Sequence, residues 1–234
     1  MSLAQFEEEQ IQIRKEIWSL IRVKKLLVID VGVGVDATST QMLIEKGAAV
    51  IAIDTDIEAL MKHREIAASF VCCDVRYPPF KRNAADCVTF LYTLHEINPA
   101  FHRTMISELA PMSLKIVIVE PSPGNTPGYQ CFENLWRESM HAVGYFEDYE
   151  PLSYWKHLVR TNGFEIELAR KIEHTVHVPP EKIKSMVDFT VEWFKREDVP
   201  QAYLERAQTL ETIKEEEIKL SDITIVIGKS RMRQ

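Results

Sequence analysis

The sequence has little of what marks several functional classes. Its 234 residues hold four cysteines, Cys72, Cys73, Cys87 and Cys131; two are adjacent and none has C-x-x-C spacing. Neither a disulfide framework nor a metal site is therefore expected, and the chain reads as a reduced, cytoplasmic protein. No uninterrupted apolar run approaches the length that spans a bilayer, which argues against a membrane protein. The N-terminal MSLAQFEEEQ lacks the basic start and apolar core of a signal peptide. No dense block of Lys or Arg is present, and the formal net charge is −7. A nucleic-acid backbone would be repelled on average, so no nucleic-acid partner is expected. Internal repeats and low-complexity tracts are absent too.

What is present is an ordinary globular composition, 46% hydrophobic and 27% charged, and a regular rhythm. Residues 4–22 place Phe6, Ile13, Ile17, Leu20 and Ile21 near helical spacing. Short apolar runs follow at 25–31, 48–54, 69–73, 85–91 and 114–120, separated by helical stretches at 38–46, 57–64 and 99–109. Strands alternating with helices at this spacing imply βαβ crossovers and a mostly parallel sheet. After Glu120 the rhythm changes. A loop, helices at 130–143 and 154–161, and a strand at 164–172 precede a helical stretch over 179–220, which includes a charged helix through Glu215, Glu216 and Glu217. A last strand closes the chain at 222–228. An insertion that long between two strands reads as a cap.

Chemistry is expected at the strand ends. The first strand runs into Asp30-Val31-Gly32-Val33-Gly34-Val35-Asp36. Two glycines here let the backbone turn sharply and let a ligand approach the main chain, with the next helix's N–H groups behind it. Asp54 ends the second strand twenty residues later, where a ribose would bring its hydroxyls, while Thr55 or Asp56 serves as the helix cap. Asp74 ends the third, placed to accept from a purine amine, with the Val75 backbone completing an adenine edge. Gly32, Gly34 and Ala37 also fit a dinucleotide fingerprint, which keeps a nicotinamide oxidoreductase as an alternative. Asp30 and Asp36 pull the other way, since both would repel a pyrophosphate while suiting a cationic adenosyl ligand.

These segments resemble the class I, seven-strand, Rossmann-like S-adenosylmethionine-dependent methyltransferases, in their small-molecule branch. The resemblance rests on VIDVGVGVD (28–36), AVIAIDTD (49–56) and CCDVRYPPFKRNAADCVTFLYTLHEI (72–97). IVIVEPSPG (116–124), TNGFEIE (161–167) and ITIVIG (223–228) follow in the family's order. It implies a three-layer αβα, doubly wound α/β fold of seven mostly parallel strands with an antiparallel last strand and a helical cap. The whole chain, 1–234, would form one domain. Residues 1–24 would be an N-terminal helix, 25–120 the cofactor-binding core, 121–163 and 173–221 the cap, and 222–234 the last strand and tail. It implies S-adenosylmethionine as cofactor, bordered by Asp30, Val31, Gly32 and Gly34, with Asp54 and Thr55 at the ribose, Asp74 and Val75 at the adenine, and Phe90 touching it from the fourth strand.

Methyl transfer needs alignment more than a fixed triad, and a base only for a protonated acceptor. Candidates for that base are His95, Glu96, Glu120 and His141, with His95 nearest the expected transfer point. A dense aromatic segment, Tyr129, Phe132, Trp136, Tyr145, Phe146, Tyr149, Tyr154 and Trp155, would wall a pocket for a flat or apolar small-molecule acceptor, or anchor the cap as core. A non-catalytic adenosyl-binding or partner-regulating protein on the same fold is the other alternative. Nothing in the sequence decides the oligomeric state, homodimer included.

Overall fold

The computed structural model describes residues 2–231. Met1 and residues 232–234, the outer ends of the expected N-terminal segment and tail, lie outside the described residues. Seven strands form one sheet: β1 (Leu27–Val31), β2 (Ala49–Asp54), β3 (Ser69–Cys72), β4 (Cys87–Leu91), β5 (Lys115–Pro121), β6 (Phe164–Ile172) and β7 (Ile223–Ser230). Their order is β3-β2-β1-β4-β5-β7-β6. The first five pair in parallel, and β7 lies antiparallel to both β5 and β6. The expected three-layer, doubly wound fold with an antiparallel last strand is what forms.

The central strands are mostly apolar because helices cover both faces, with Asp30, Thr89 and Glu120 as buried polar exceptions. Along β5, Ile116 and Ile118 join one core cluster and Val117 and Val119 the other, as the two-residue strand period requires. The first face is covered by α4 (Pro99–Leu109) and α6 (Leu152–Thr161). The second is covered by α1 (Leu3–Leu20), α2 (Thr38–Glu45) and α3 (Ile57–Lys62). Helix α1 opens with a capping box between Ser2 and Gln5 and buries Ile13 and Ile17 on the sheet. Its Phe6 reaches a third cluster instead.

That third cluster is the cap. It is built from α5 (Pro127–Ala142), α7 (Pro180–Arg196) and α8 (Gln201–Thr209), packed through Phe132, Leu135, Met140, Ile183, Val187 and Phe194. Helix α7 starts where a proline fills its first position, and buries Ile183, Val187, Thr190 and Phe194 at helical spacing.

Two expectations change. The acidic run at 215–217 makes a three-residue 3-10 turn, Glu215–Glu217, not a helix. Three adjacent carboxylates repel one another, and the flanking chain is drawn extended: Val178 N donates to Ile218 O, and His177 bridges to Lys219. Helix α6, expected in the cap, lies on the sheet. Its Trp155, Leu158 and Val159 are buried in the first-face core, and Val159 sits so close to β7 that a Cβ at Gly228 would meet it at 2.7 Å.

Trp155 is fully buried, with Nε1 donating to Glu150 O at 3.1 Å. Trp155→Ala should therefore cost about 3–5 kcal/mol of unfolding free energy in urea denaturation. Phe189→Ala, on a side chain 60% exposed in the cap, should stay within about 0.5 kcal/mol of the parent.

Candidate functional site

The loop between β1 and α2 turns on backbone that favours glycine: Gly32 has φ +83° and Gly34 φ +63°. At Gly32 a side chain is excluded twice over, because a Cβ would lie 2.5 Å from Thr93 Oγ1. At Gly34 nothing lies within 4 Å of a Cβ, so that side of the loop is open.

Asp54 holds this loop from below. Its Oδ2 accepts from Val33 N at 2.8 Å and Gly34 N at 3.3 Å, and its Oδ1 from Asp56 N at 3.0 Å. The helix cap is Asp56, which accepts from Glu58 N and Ala59 N. Asp54 thus stays off the cap, as expected, but fastens the loop as well as facing the strand end. Thr55 is exposed beside it.

Other expected cofactor contacts lie elsewhere. Asp30 is fully buried and accepts from the hydroxyls of Ser39, Thr40 and Thr89 at 2.7–2.8 Å. Burial pushes its carboxyl up, and the three hydroxyls oppose that shift. It ties α2 to β1 and β4 and does not border the cavity. Val31 is buried too, its carbonyl accepting from Thr93 Oγ1. Phe90 has no exposure and belongs to the core under α4 and α6, which corrects its expected contact with a cofactor. The two residues after it line the cavity instead, Leu91 on the opposite face of β4 and Tyr92 beyond the strand's end. Tyr92 stands in the left-handed region at φ +58°. Asp74 accepts from Arg76 N and from Arg76 Nε at 2.7 Å, and the side-chain bond with Arg76 holds its carboxyl below the usual range. The Arg76 guanidinium rests over Phe101. Val75 is buried in the first-face core.

A cavity of about 740 Å³ lies at the glycine loop, lined by Gly32 and Gly34 and by Arg14 and Trp18 of α1, among others. Beneath the cap a second cavity of about 650 Å³ is walled by Phe132, Trp136, Tyr145, Phe146 and Trp193, among others. Of the aromatic segment, Tyr154 and Trp155 pack on the sheet instead. His95, Glu96, Tyr129 and Tyr149 line both cavities.

His95 sits in the 3-10 turn Leu94–Glu96 that leaves β4. Buried His102 fixes that turn: its Nε2 reaches Leu94 O at 2.9 Å and Ile97 O at 3.0 Å, so Nε2 carries the hydrogen and Nδ1 accepts from Tyr154 OH. Glu120, fully buried at the end of β5, accepts from Thr93 N and Leu94 N through Oε1 and faces His95 Nδ1 at 2.6 Å through Oε2. Burial works against a charged His95. The charge and hydrogen bond of Glu120, then the charges of Glu147 and Glu96, outweigh it and hold the ring at about 9. His95 is thus an imidazolium near neutral pH, a donor where the sequence offered it as a base.

On the cavity side, His95 Nε2 lies 3.8 Å from Glu147 Oε1 and 4.0 Å from Glu96 Oε1. The sequence showed no metal spacing, yet these three side chains bring one donor atom each within 4.8 Å of one another. Burial raises Glu147, against the His95 charge and the hydrogen bond from Tyr149 OH. His141 is separate and exposed, paired with Asp148 at 2.8 Å. Sequence reasoning missed Arg14, Tyr92 and Glu147. Glu147 had a signal, a carboxylate inside the aromatic run 145–149; Arg14 had none, being one charge among many on an amphipathic helix.

Residues 28–113 match the model of a methyltransferase domain. No curated protein matches the chain. Among solved structures, the YcgJ protein of Bacillus subtilis is 15% identical, with a TM-score of 0.64 over 95% of this chain and 99% of that one. A SAM-dependent methyltransferase from Methanosarcina mazei is 14% identical, with a TM-score of 0.57 over 88% and 93%. The protein bound to the Trm112 methyltransferase activator in a Haloferax volcanii complex is 12% identical, with a TM-score of 0.62 over 99% and 93%. Over residues 28–113 the chain is thus similar to a methyltransferase domain, and its sheet has the strand order of the class I methyltransferase fold. No helix among the described residues is long and apolar enough to cross a membrane.

The His95–Glu120 pair makes stability depend on pH with a defined sign. A histidine raised from 6.5 to about 9 on folding contributes its full stabilisation below about pH 6.5 and loses it as pH rises through about 9. Urea denaturation across that window should show the decline, and His95→Gln should flatten it. An unchanged slope in the variant would put the titrating proton elsewhere.

Proposed function

We propose that this protein transfers the methyl group of S-adenosylmethionine to a small-molecule acceptor held in the aromatic cavity beneath the cap. The observation that carries this reading is the shared wall: His95, Glu96, Tyr129 and Tyr149 face both the cavity over the glycine loop and the aromatic one. Two ligands bound side by side would meet there.

The residues present fit the cofactor. The open side of Gly34 and the exposed start of α2 leave backbone accessible along the loop. Asp54 keeps acceptor capacity beyond its three backbone partners for ribose hydroxyls, with Thr55 beside it. Asp74 and the Val75 backbone, at the next strand end and not among the residues lining this cavity, would meet the adenine only where it extends past the loop. Asp36 is exposed among the residues that line the cavity. Arg14, across the cavity on α1, supplies the positive charge that a methionine carboxylate needs beside Asp36.

The bound cofactor supplies a methyl carbon on a cationic sulfur, a reaction in which alignment provides much of the acceleration. The chain's own part is to align and to exclude water. The cap's aromatic walls fix the acceptor's plane, and α1 roofs the cofactor side. His95, held by Glu120, donates from Nε2 into the shared wall. Glu147 is the carboxylate placed to take a proton from an acceptor that arrives with one.

Isothermal titration tests the reading. S-adenosylmethionine and S-adenosylhomocysteine should bind while nicotinamide dinucleotides do not. Asp54→Ala should weaken adenosyl binding by about tenfold or more, and Asp54→Asn less, since an acceptor oxygen remains. If neither adenosyl ligand binds the unaltered protein, the reading fails. Arg14→Ala should weaken both amino-acid-bearing ligands but leave methylthioadenosine, which lacks that moiety, unaffected. An equal loss for all three would remove Arg14 from the carboxylate site.

A further inference from the structure

The acceptor's chemical class can be taken further from the walls of the aromatic cavity. Four carboxylates line it, Glu96, Glu133, Glu147 and Glu197, and no Lys or Arg does among the described residues. Two of the four are already engaged. Glu197 pairs with Arg196 at 2.8 Å, and Arg196 stacks outward on Trp193. Glu133 accepts from Gly124 N at 2.6 Å. Glu96, on the shared wall, and Glu147, beside it in the aromatic cavity, remain: Glu147 accepts one hydrogen bond from Tyr149 OH and both acids otherwise face only His95 Nε2.

Three carboxylates, Glu96, Glu120 and Glu147, stand against the single imidazolium of His95 at that wall. Glu147 is 14% exposed at its side chain, so its charge is poorly screened by water. Around the acids the wall is π surface. Trp136 lies 5.3 Å from Trp193 and stacks with Phe189 at 6.2 Å, and Tyr149 packs its ring edge-on against His95 at 5.5 Å.

We propose that this cavity binds an amine: a molecule with an apolar or aromatic body lying against Trp136 and its neighbours, and a protonated nitrogen directed at Glu147 and Glu96. An anion would meet unpaired like charge. A neutral alcohol of the same shape would cover Glu147 without compensating its charge, which costs binding energy. A cationic nitrogen satisfies the acids and is attracted by the ring faces. The volume, about 650 Å³, suits a drug-sized molecule. A divalent ion is the competing cation, since His95, Glu96 and Glu147 converge. Such an ion would leave the aromatic walls, most of the cavity, without a partner. That the bound amine is also the methyl acceptor rests on the function proposed above; the binding preference does not.

The experiment is a titration of the full chain, alone and with S-adenosylhomocysteine, using three probes of one shape: tryptamine, tryptophol and indole-3-propionate. Magnesium and zinc chloride form separate arms. Tryptamine should bind about tenfold or more tightly than tryptophol, and indole-3-propionate more weakly still. The preference should fall by about tenfold in Glu147→Gln and by less in Glu96→Gln, whose exposed position makes misfolding a poor explanation; circular dichroism checks both. The proposal is overturned if the alcohol or the acid binds as well as the amine, if no probe binds, or if the preference survives both substitutions. Saturable metal binding lost in Glu147→Gln, without amine binding, overturns it in favour of a metal site. Amine binding without adenosyl binding would sustain this inference and sink the transferase reading; the reverse would do the opposite.

Discussion

The geometry of the site hangs on one buried carboxylate. Glu120 has no exposure to solvent, and its two oxygens are divided between the backbone and a side chain. One accepts the N–H groups of Thr93 and Leu94, so the chain leaving β4 must turn where it does. The other meets His95, which settles the ring's orientation and its charge. A charge buried this deeply is tolerated because it is matched in number and direction by its partners. Thr93, placed by that turn, donates to Val31 O and blocks any side chain at Gly32. The β4 turn and the glycine loop are thereby locked to one another, and the floor of one cavity and the wall of the other become a single unit.

A second consequence is electrostatic. The chain's surplus of acids is a general property of its surface, but at the shared wall it becomes local and poorly screened. Glu147 and Glu96 face a histidine already neutralised by Glu120 from behind. The pair behind fixes the orientation, and the acids in front leave the uncompensated charge toward the cavity. This division places structural and ligand-facing electrostatics on opposite sides of one ring. Asp30 shows the alternative outcome. Three hydroxyls surround it, its charge is absorbed within the protein, and it organises the start of α2.

The cap and the sheet do different work. Helices α4 and α6 fill one face of the sheet and contribute no wall to either cavity beyond the support of the β4 turn through His102. Helices α5 and α7 bury one stripe in their own core and turn Trp136, Phe189 and Trp193 toward the aromatic cavity. Helix α1 joins both parts: Ile13 and Ile17 pack on the sheet and Phe6 on the cap, with Arg14 and Trp18 left between them at the cofactor-side cavity.

The linear pattern was enough to determine the architecture. Runs of β-branched residues ending in acids and glycines, alternating with amphipathic stretches, admit few arrangements other than a doubly wound parallel sheet. The left-handed turn at Gly32 and Gly34 follows from glycine's freedom, whereas the loop-fastening role of Asp54, expected at the ribose, emerges only in the fold. Periodicity carries that information because it is local. The pattern could not say which strand-end acids face a ligand. Asp30, Asp54 and Asp74 look alike in sequence, yet one is sealed among hydroxyls, one clamps the loop and one is held by Arg76. Nor could it separate Phe90, inside the core, from Tyr92, two residues on and facing the cavity. It named His95 but not its proton, because Glu120 lies 25 positions away and Glu147 on a different segment. A side chain's charge state and direction depend on neighbours brought together by folding, here at 2.6 and 3.8 Å, distances that no spacing along the chain encodes.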